Sequence, residues 1–137
     1  MSPKSRNKEH DKLMQLLESL MGSDWRVYNA SLAKALGSTD AAIFYQQCCY
    51  WSSRTKDKVN GWFYKTVEEF KEELAMSRCK QDTAIRILLK HKLIEKKRGY
   101  MGKRYFRITL NIANFCRENG MFKSTISDCR KLTIRND

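Results

Sequence analysis

No apolar run in this 137-residue chain approaches the roughly 20 residues a helix needs to span a bilayer, so no membrane-spanning helix is expected. The opening Met-Ser-Pro-Lys-Ser-Arg-Asn-Lys holds no hydrophobic region of the signal-peptide kind, which predicts a cytoplasmic protein. Paired metal ligands are lacking as well. Cys48, Cys49, Cys79, Cys116 and Cys129 form no Cys-x-x-Cys, and His10 and His91 stand far apart, whereas structural zinc sites use ligand pairs at short spacing. Cys48 and Cys49, in an apolar segment, read as small buried hydrophobes. There is no glycine-rich phosphate loop, no recognisable pair of catalytic carboxylates and no nucleophile beside its base, so neither an enzyme nor a cofactor is predicted. No repeat of solenoid period is visible. The last shortage is of acids: 15 Asp and Glu face 27 Lys and Arg, a net charge of +12.

That charge is focused. Residues 76 to 107 hold eleven of the basic side chains and two acids, Asp82 and Glu95, and so carry nine of the twelve net charges. A field concentrated in this way attracts a polyanion, and neutralising phosphates with release of counterions supplies affinity. The same stretch has a recognisable local order. An acidic amphipathic segment, Thr66 to Leu74, is followed by a break at Ala75-Met76. Ser77 then caps a basic helix running to about His91, where Lys90, His91 and Lys92 suit the negative end of the macrodipole. Leu93-Ile94 and Tyr105-Phe106-Arg107-Ile108 have strand composition, with Gly99-Tyr100-Met101-Gly102 as the turn between them. Helix, turn, helix and hairpin make a winged helix-turn-helix.

Taken from the start, Met1 to Lys8 is polar and frayed by expectation. Leu13, Leu16, Leu17, Leu20 and Met21 recur at helical spacing on a helix ended by Gly22. Their stripe packs either on the domain's own core or on a second copy of the chain, as a homodimer interface. Asp24 to Tyr28 is the candidate first strand, pairing with the hairpin. Asn29 caps Ala30 to Leu36, closed by Gly37, and Ser38 or Thr39 caps the next helix. That helix, Ala41 to Trp51, is apolar around most of its circumference and should be the central buried one. Ser52 to Val59 reads as a polar loop and Asn60-Gly61 as a turn. The aromatic cluster Trp51, Trp62, Phe63 and Tyr64 reads first as core and second as a surface for stacking unpaired bases. Glu68, Glu69, Glu72 and Glu73 look like a solvent-facing helix surface. Leu110 to Glu118 is a short helix with Asn111 near its cap. The polar tail from Asn119, with isolated Ile126, Leu132 and Ile134, receives no assignment. The expected fold class is therefore mainly α with a small β-hairpin (α+β): residues 1–22 form a tail and amphipathic helix, 23–110 the winged-helix domain, and 111–137 a C-terminal helix and tail.

Several segments resemble a known family. Asn29-Ala-Ser-Leu-Ala-Lys-Ala-Leu-Gly37, Ala42-Ile43 with Gln46-Gln47 and Tyr50-Trp51, and Gly61-Trp-Phe-Tyr-Lys-Thr66 leading to Glu69-Phe70 are together similar to the N-terminal winged-helix domain of phage and plasmid replication proteins of the replisome-organiser and DnaD-like type. Ser77-Arg78 through Leu88 to Leu93-Ile94 resembles the recognition helix and strand of winged-helix proteins in general. The similarity covers about residues 25 to 110 and implies a DNA-binding protein of a phage or other mobile element, in a prokaryotic cytoplasm or a virus's host cell.

The residues suggest how duplex DNA would be held. With Ala84, Ile85 and Leu88 inward, the helix from Ser77 to His91 turns Arg78, Lys80, Thr83 and Arg86 outward, with Gln81 and Lys90 at the margins. Arg78 and Arg86 can each fork onto guanine, and Gln81 onto adenine, in the major groove. Lys96, Lys97, Arg98, Lys103 and Arg104 would hold phosphates or reach the minor groove through the wing. The expected function is double-stranded DNA binding in replication or transcription control. The alternative is a protein-protein adaptor whose charged wing meets an acidic partner.

Overall fold

Five of the described helices begin where a short polar side chain takes up an orphan backbone amide, the first at Asn7, which accepts from the Glu9 amide. Asn29 accepts from the Leu32 amide, Ser38 from Ala41, Thr66 from Glu69 and Ser77 from Lys80. Thr66 and Glu69 close a full capping box, because the Glu69 carboxylate also accepts the Thr66 amide. The computed structural model describes residues 7–121. In chain order it contains α1 (Lys8–Met21), α2 (Ala30–Leu36), α3 (Thr39–Arg54), β1 (Phe63–Tyr64), α4 (Val67–Leu74), α5 (Arg78–Lys90), β2 (Ile94–Arg98), a one-turn 3-10 helix (Tyr100–Gly102), β3 (Arg104–Ile108) and α6 (Ile112–Glu118). The protein is mostly helical, with one three-stranded antiparallel sheet in the order β1-β3-β2.

The core explains this arrangement. α3 lies against α2, α5 and β3, and buries Ala41, Ala42, Phe44, Tyr45 and Cys48. Phe44 meets Phe70 of α4 at 4.5 Å between ring centres and Phe106 of β3 at 6.0 Å, while Phe63 of β1 lies 5.9 Å from Phe106. Phe44, Phe70 and Phe106 are fully enclosed, and each contributes up to about 3 kcal/mol of hydrophobic stabilisation. Ala84, Ile85 and Leu88 are buried as their spacing predicts, which turns one defined side of α5 to solvent. The chain passes from α4 to α5 through Ala75, held in the left-handed region at φ 55° and ψ 33°, and the buried Met76. Lys92, just after α5, also has a positive φ of 60°.

Several sequence expectations change. Asp24 to Tyr28 is not a strand. The strand beside β3 is Phe63–Tyr64, because Phe63 supplies an inward ring opposite Phe106, whereas Trp25, Val27 and Tyr28 are exposed. α3 continues three residues beyond Trp51 to Arg54, shortening the polar loop. Of the aromatic cluster only Phe63 is fully core: Trp51 and Trp62 are half-buried and Tyr64 is exposed. Glu73 does not face solvent freely. It accepts hydrogen bonds from Gln47 and Trp51 at 2.7 Å each and pairs with the buried Lys65 at 2.6 Å, and the Lys65 ammonium sits 3.4 Å over the Trp51 ring. The α1 stripe does not rest on the core, since no residue of α1 is buried. The expectations for Met1 to Arg6 and for the tail beyond Met121 lie outside the described residues.

Candidate functional site

α5 carries the first half of the candidate site. Opposite its buried side, Cys79, Thr83, Arg86 and Lys90 follow one another at three- and four-residue spacing, all exposed. Arg78 and Asp82 flank this row on one side and Lys80 on the other. Arg78 and Asp82 approach to 4.0 Å, an exposed pair one helical turn apart worth a few tenths of a kcal/mol. Arg78, Lys80, Thr83, Arg86 and Lys90 are therefore available to a ligand.

Gln81 is not, and its expected role is corrected. The side chain is completely buried: its Nε2 donates to the Val67 and Met76 carbonyls at 3.0 Å each, and its Oε1 accepts from Arg104 Nη2 at 3.2 Å. An amide with these three bonds inside the protein has nothing to offer a base edge. It ties α4, the turn and α5 to β3 instead.

The second half is the β2–β3 hairpin, whose cations are divided by strand alternation. Ile94, Lys96 and Arg98 share the face of the sheet that also carries Phe106, Arg104 and Phe63, the inner face toward α5. Lys96, Arg98 and Arg104, with Lys103 at the end of β3, line a groove of about 630 Å³ whose other wall includes Arg78, Asp82 and Lys71. Burial, and then repulsion from Arg104, pull the Lys96 ammonium below its usual range, with Asp82 opposing them. Burial is also the main cause that lowers Arg104; Asp82 counteracts it and Arg78 reinforces it. Arg104 Nε is enclosed and, among the described residues, has no hydrogen-bond partner.

Lys97 lies elsewhere. It shares the outer face with Glu95, Tyr105, Arg107 and Tyr64, and its ammonium rests 4.2 Å over the Trp62 ring. Consecutive residues of a strand point to opposite sides, so Lys96 and Arg98 face the groove and Lys97 does not. Sequence reasoning also missed Asp82, Lys71 and Tyr64, which line the groove. For Asp82 the signal was its position four residues after Arg78.

Among the described residues no group of three or more His, Cys, Asp or Glu could hold a metal ion, and no helix is long and apolar enough to cross a membrane. Comparison of the chain with protein-family models, with curated proteins and with solved structures returns no match.

Proposed function

We propose that this chain is a winged helix-turn-helix protein that binds double-stranded DNA, with α5 as recognition helix and the β2–β3 hairpin as wing. The observation that carries the reading is the groove between them, where Lys96, Arg98, Arg104 and Arg78 converge and where burial, joined by Arg104 acting on Lys96 and Arg78 acting on Arg104, lowers both groups against the pull of Asp82. A phosphate backbone is the ligand that such a surface fits. α5, with 13 residues, is about 20 Å long and presents a polar, well-anchored side of the width a major groove admits. In the complex Arg86 and Arg78 read base edges, while Lys96, Arg98, Lys103 and Arg104 hold the backbone and fix register. The role is replication or transcription control in a phage or other mobile element, in keeping with the sequence resemblance. The chain works as a homodimer through α1: Leu13, Leu16, Leu17 and Leu20 are 38–72 % exposed in one copy, and an apolar stripe of this kind is normally covered.

Selection of bound duplexes from a random pool at physiological salt, with the solution mass measured alongside, tests the whole reading. A palindromic consensus and a dimer mass are expected. An unenriched pool would instead favour an acidic protein partner. Within the selected site, Arg86→Ala should lose about 1–3 kcal/mol of binding and relax the choice of base at one position.

A further inference from the structure

The outer face of the sheet has a composition that the duplex reading does not use. Strand pairing lines up Tyr64, Tyr105 and Lys97 in one row across β1, β3 and β2, and sets Arg107 opposite Glu95 in the next. Trp62 joins that second row, with the Arg107 guanidinium 4.7 Å over its ring and the Lys97 ammonium 4.2 Å over it. The Tyr64 and Tyr105 rings lie 5.8 Å apart, and the Lys103 ammonium is 4.9 Å over Tyr64. Tyr64, Lys97 and Lys103 are exposed, and Trp62, Tyr105 and Arg107 are half-buried. The neighbouring apolar core, with Phe63, Phe106 and Ile94, lies on the other side of the sheet. A solvent-facing side of an antiparallel sheet is ordinarily polar, so three aromatics, each with a cation over its ring, make a surface that suits a ligand.

We propose that this face is a stacking platform for single-stranded DNA. Unpaired bases have π-faces that fit Tyr64, Tyr105 and Trp62, and the phosphates between them fall within reach of the cations that now rest on those rings. On binding, Lys97 and Lys103 leave the ring faces for phosphates and bases take their places. Arg107 stays where Glu95 holds it at 3.1 Å. Asp57 fixes Trp62 from the preceding loop, its carboxylate accepting the Asn60 amide at 3.1 Å and the Trp62 amide at 3.2 Å. With Glu95 and Asp57 beside three cations the local surplus is small, so stacking must supply most of the affinity. That gives this surface a shallower salt dependence than the groove on the inner face. Tyr64 and Lys103, at the sheet's edge, also line the groove proposed for the duplex, whereas Trp62, Tyr105, Lys97 and Arg107 do not.

The test uses the full chain and a fluorescent oligothymidylate of about 15 nucleotides, followed by anisotropy. Tyr64→Ser, at an exposed position, should weaken binding about tenfold, and Tyr105→Leu should do likewise with an unchanged circular dichroism spectrum. Arg86→Ala should leave oligothymidylate binding unaltered. Absence of binding by the wild-type chain overturns the proposal, as does wild-type affinity in Tyr64→Ser or in Tyr105→Leu. Tighter binding of oligouridylate would reassign the surface to RNA and overturn it as stated. Because Tyr64→Ser is read on the single strand alone, failure of the duplex reading leaves this outcome interpretable.

Discussion

The two faces of the small sheet are built from the same three strands and hold similar numbers of cations, yet they treat them in opposite ways. On the inner face Lys96 and Arg104 are drawn partly out of water, close to one another and to Arg78 across a groove. On the outer face Lys97, Arg107 and Lys103 rest on aromatic rings, and Arg107 also has Glu95. The first arrangement gathers six cations around one groove against Glu68 and Asp82, a surplus that suits a polyanion; the second rests its cations on rings. A run of basic letters along a strand is thus two surfaces of different chemistry, separated by a period of two.

The sharpest way to separate the faces is through stability. Phe106→Ala, on the inner face, should cost about 3–5 kcal/mol in denaturant unfolding, because its ring is enclosed by Phe44, Phe63 and Phe70. Tyr64→Ala, on the outer face and 37 % exposed, should cost about 1 kcal/mol. Equal losses would mean that the outer face is also core.

Lys65 sharpens the contrast from another side, as a buried cation that does have its anion. Burial alone would raise the Glu73 carboxyl, but hydrogen bonds from Lys65, Gln47 and Trp51 outweigh it and hold the group below the usual carboxylate range. A carboxyl depressed in the folded state lends stability that is fully present above the unfolded value of about 4.3 and is lost as pH falls through the folded value. Glu73→Gln, which leaves Lys65 without its counter-charge, should therefore cost about 3 kcal/mol near neutral pH and flatten the acid limb of the stability profile. A variant with an unchanged acid limb would show that the pair contributes nothing.

Gln81→Leu comes next. Removing the amide leaves the buried Met76 carbonyl without its donor, takes one donor from the part-buried Val67 carbonyl and frees Arg104 from α5, for a loss of about 2 kcal/mol. Duplex affinity should fall with it, since Arg104 loses its orientation, while oligothymidylate affinity should hold. Unchanged duplex binding would remove Arg104 from the interface.

Much of this was written in local sequence. The inward triad Ala84, Ile85 and Leu88 follows from helical spacing, and Asn29, Ser38 and Ser77 cap as short polar residues do. Even the burial of Gln81 had a signal, because it precedes Ala84 and Ile85 by three and four residues and so shares their side; its polarity concealed that. The division of Lys96, Lys97 and Arg98 was equally available from strand alternation. The first strand was not. Trp25 to Tyr28 and Trp62 to Lys65 look alike locally, and only the presence of Phe106 across the sheet, a partner more than forty residues away, selects the second. Glu73 is a similar case, one carboxylate among four whose partners Gln47, Trp51 and Lys65 come from other elements.

The salt dependence of duplex binding by two neighbouring variants separates the two faces most directly. Lys96→Ala, on the inner face, should weaken binding on every duplex and lower the slope of log K against log salt by about one. Lys97→Ala, one residue later and on the other side of the sheet, should leave that slope where it is. The same loss of slope in both variants, or in Lys97→Ala alone, would contradict the assignment of the inner groove to the DNA backbone.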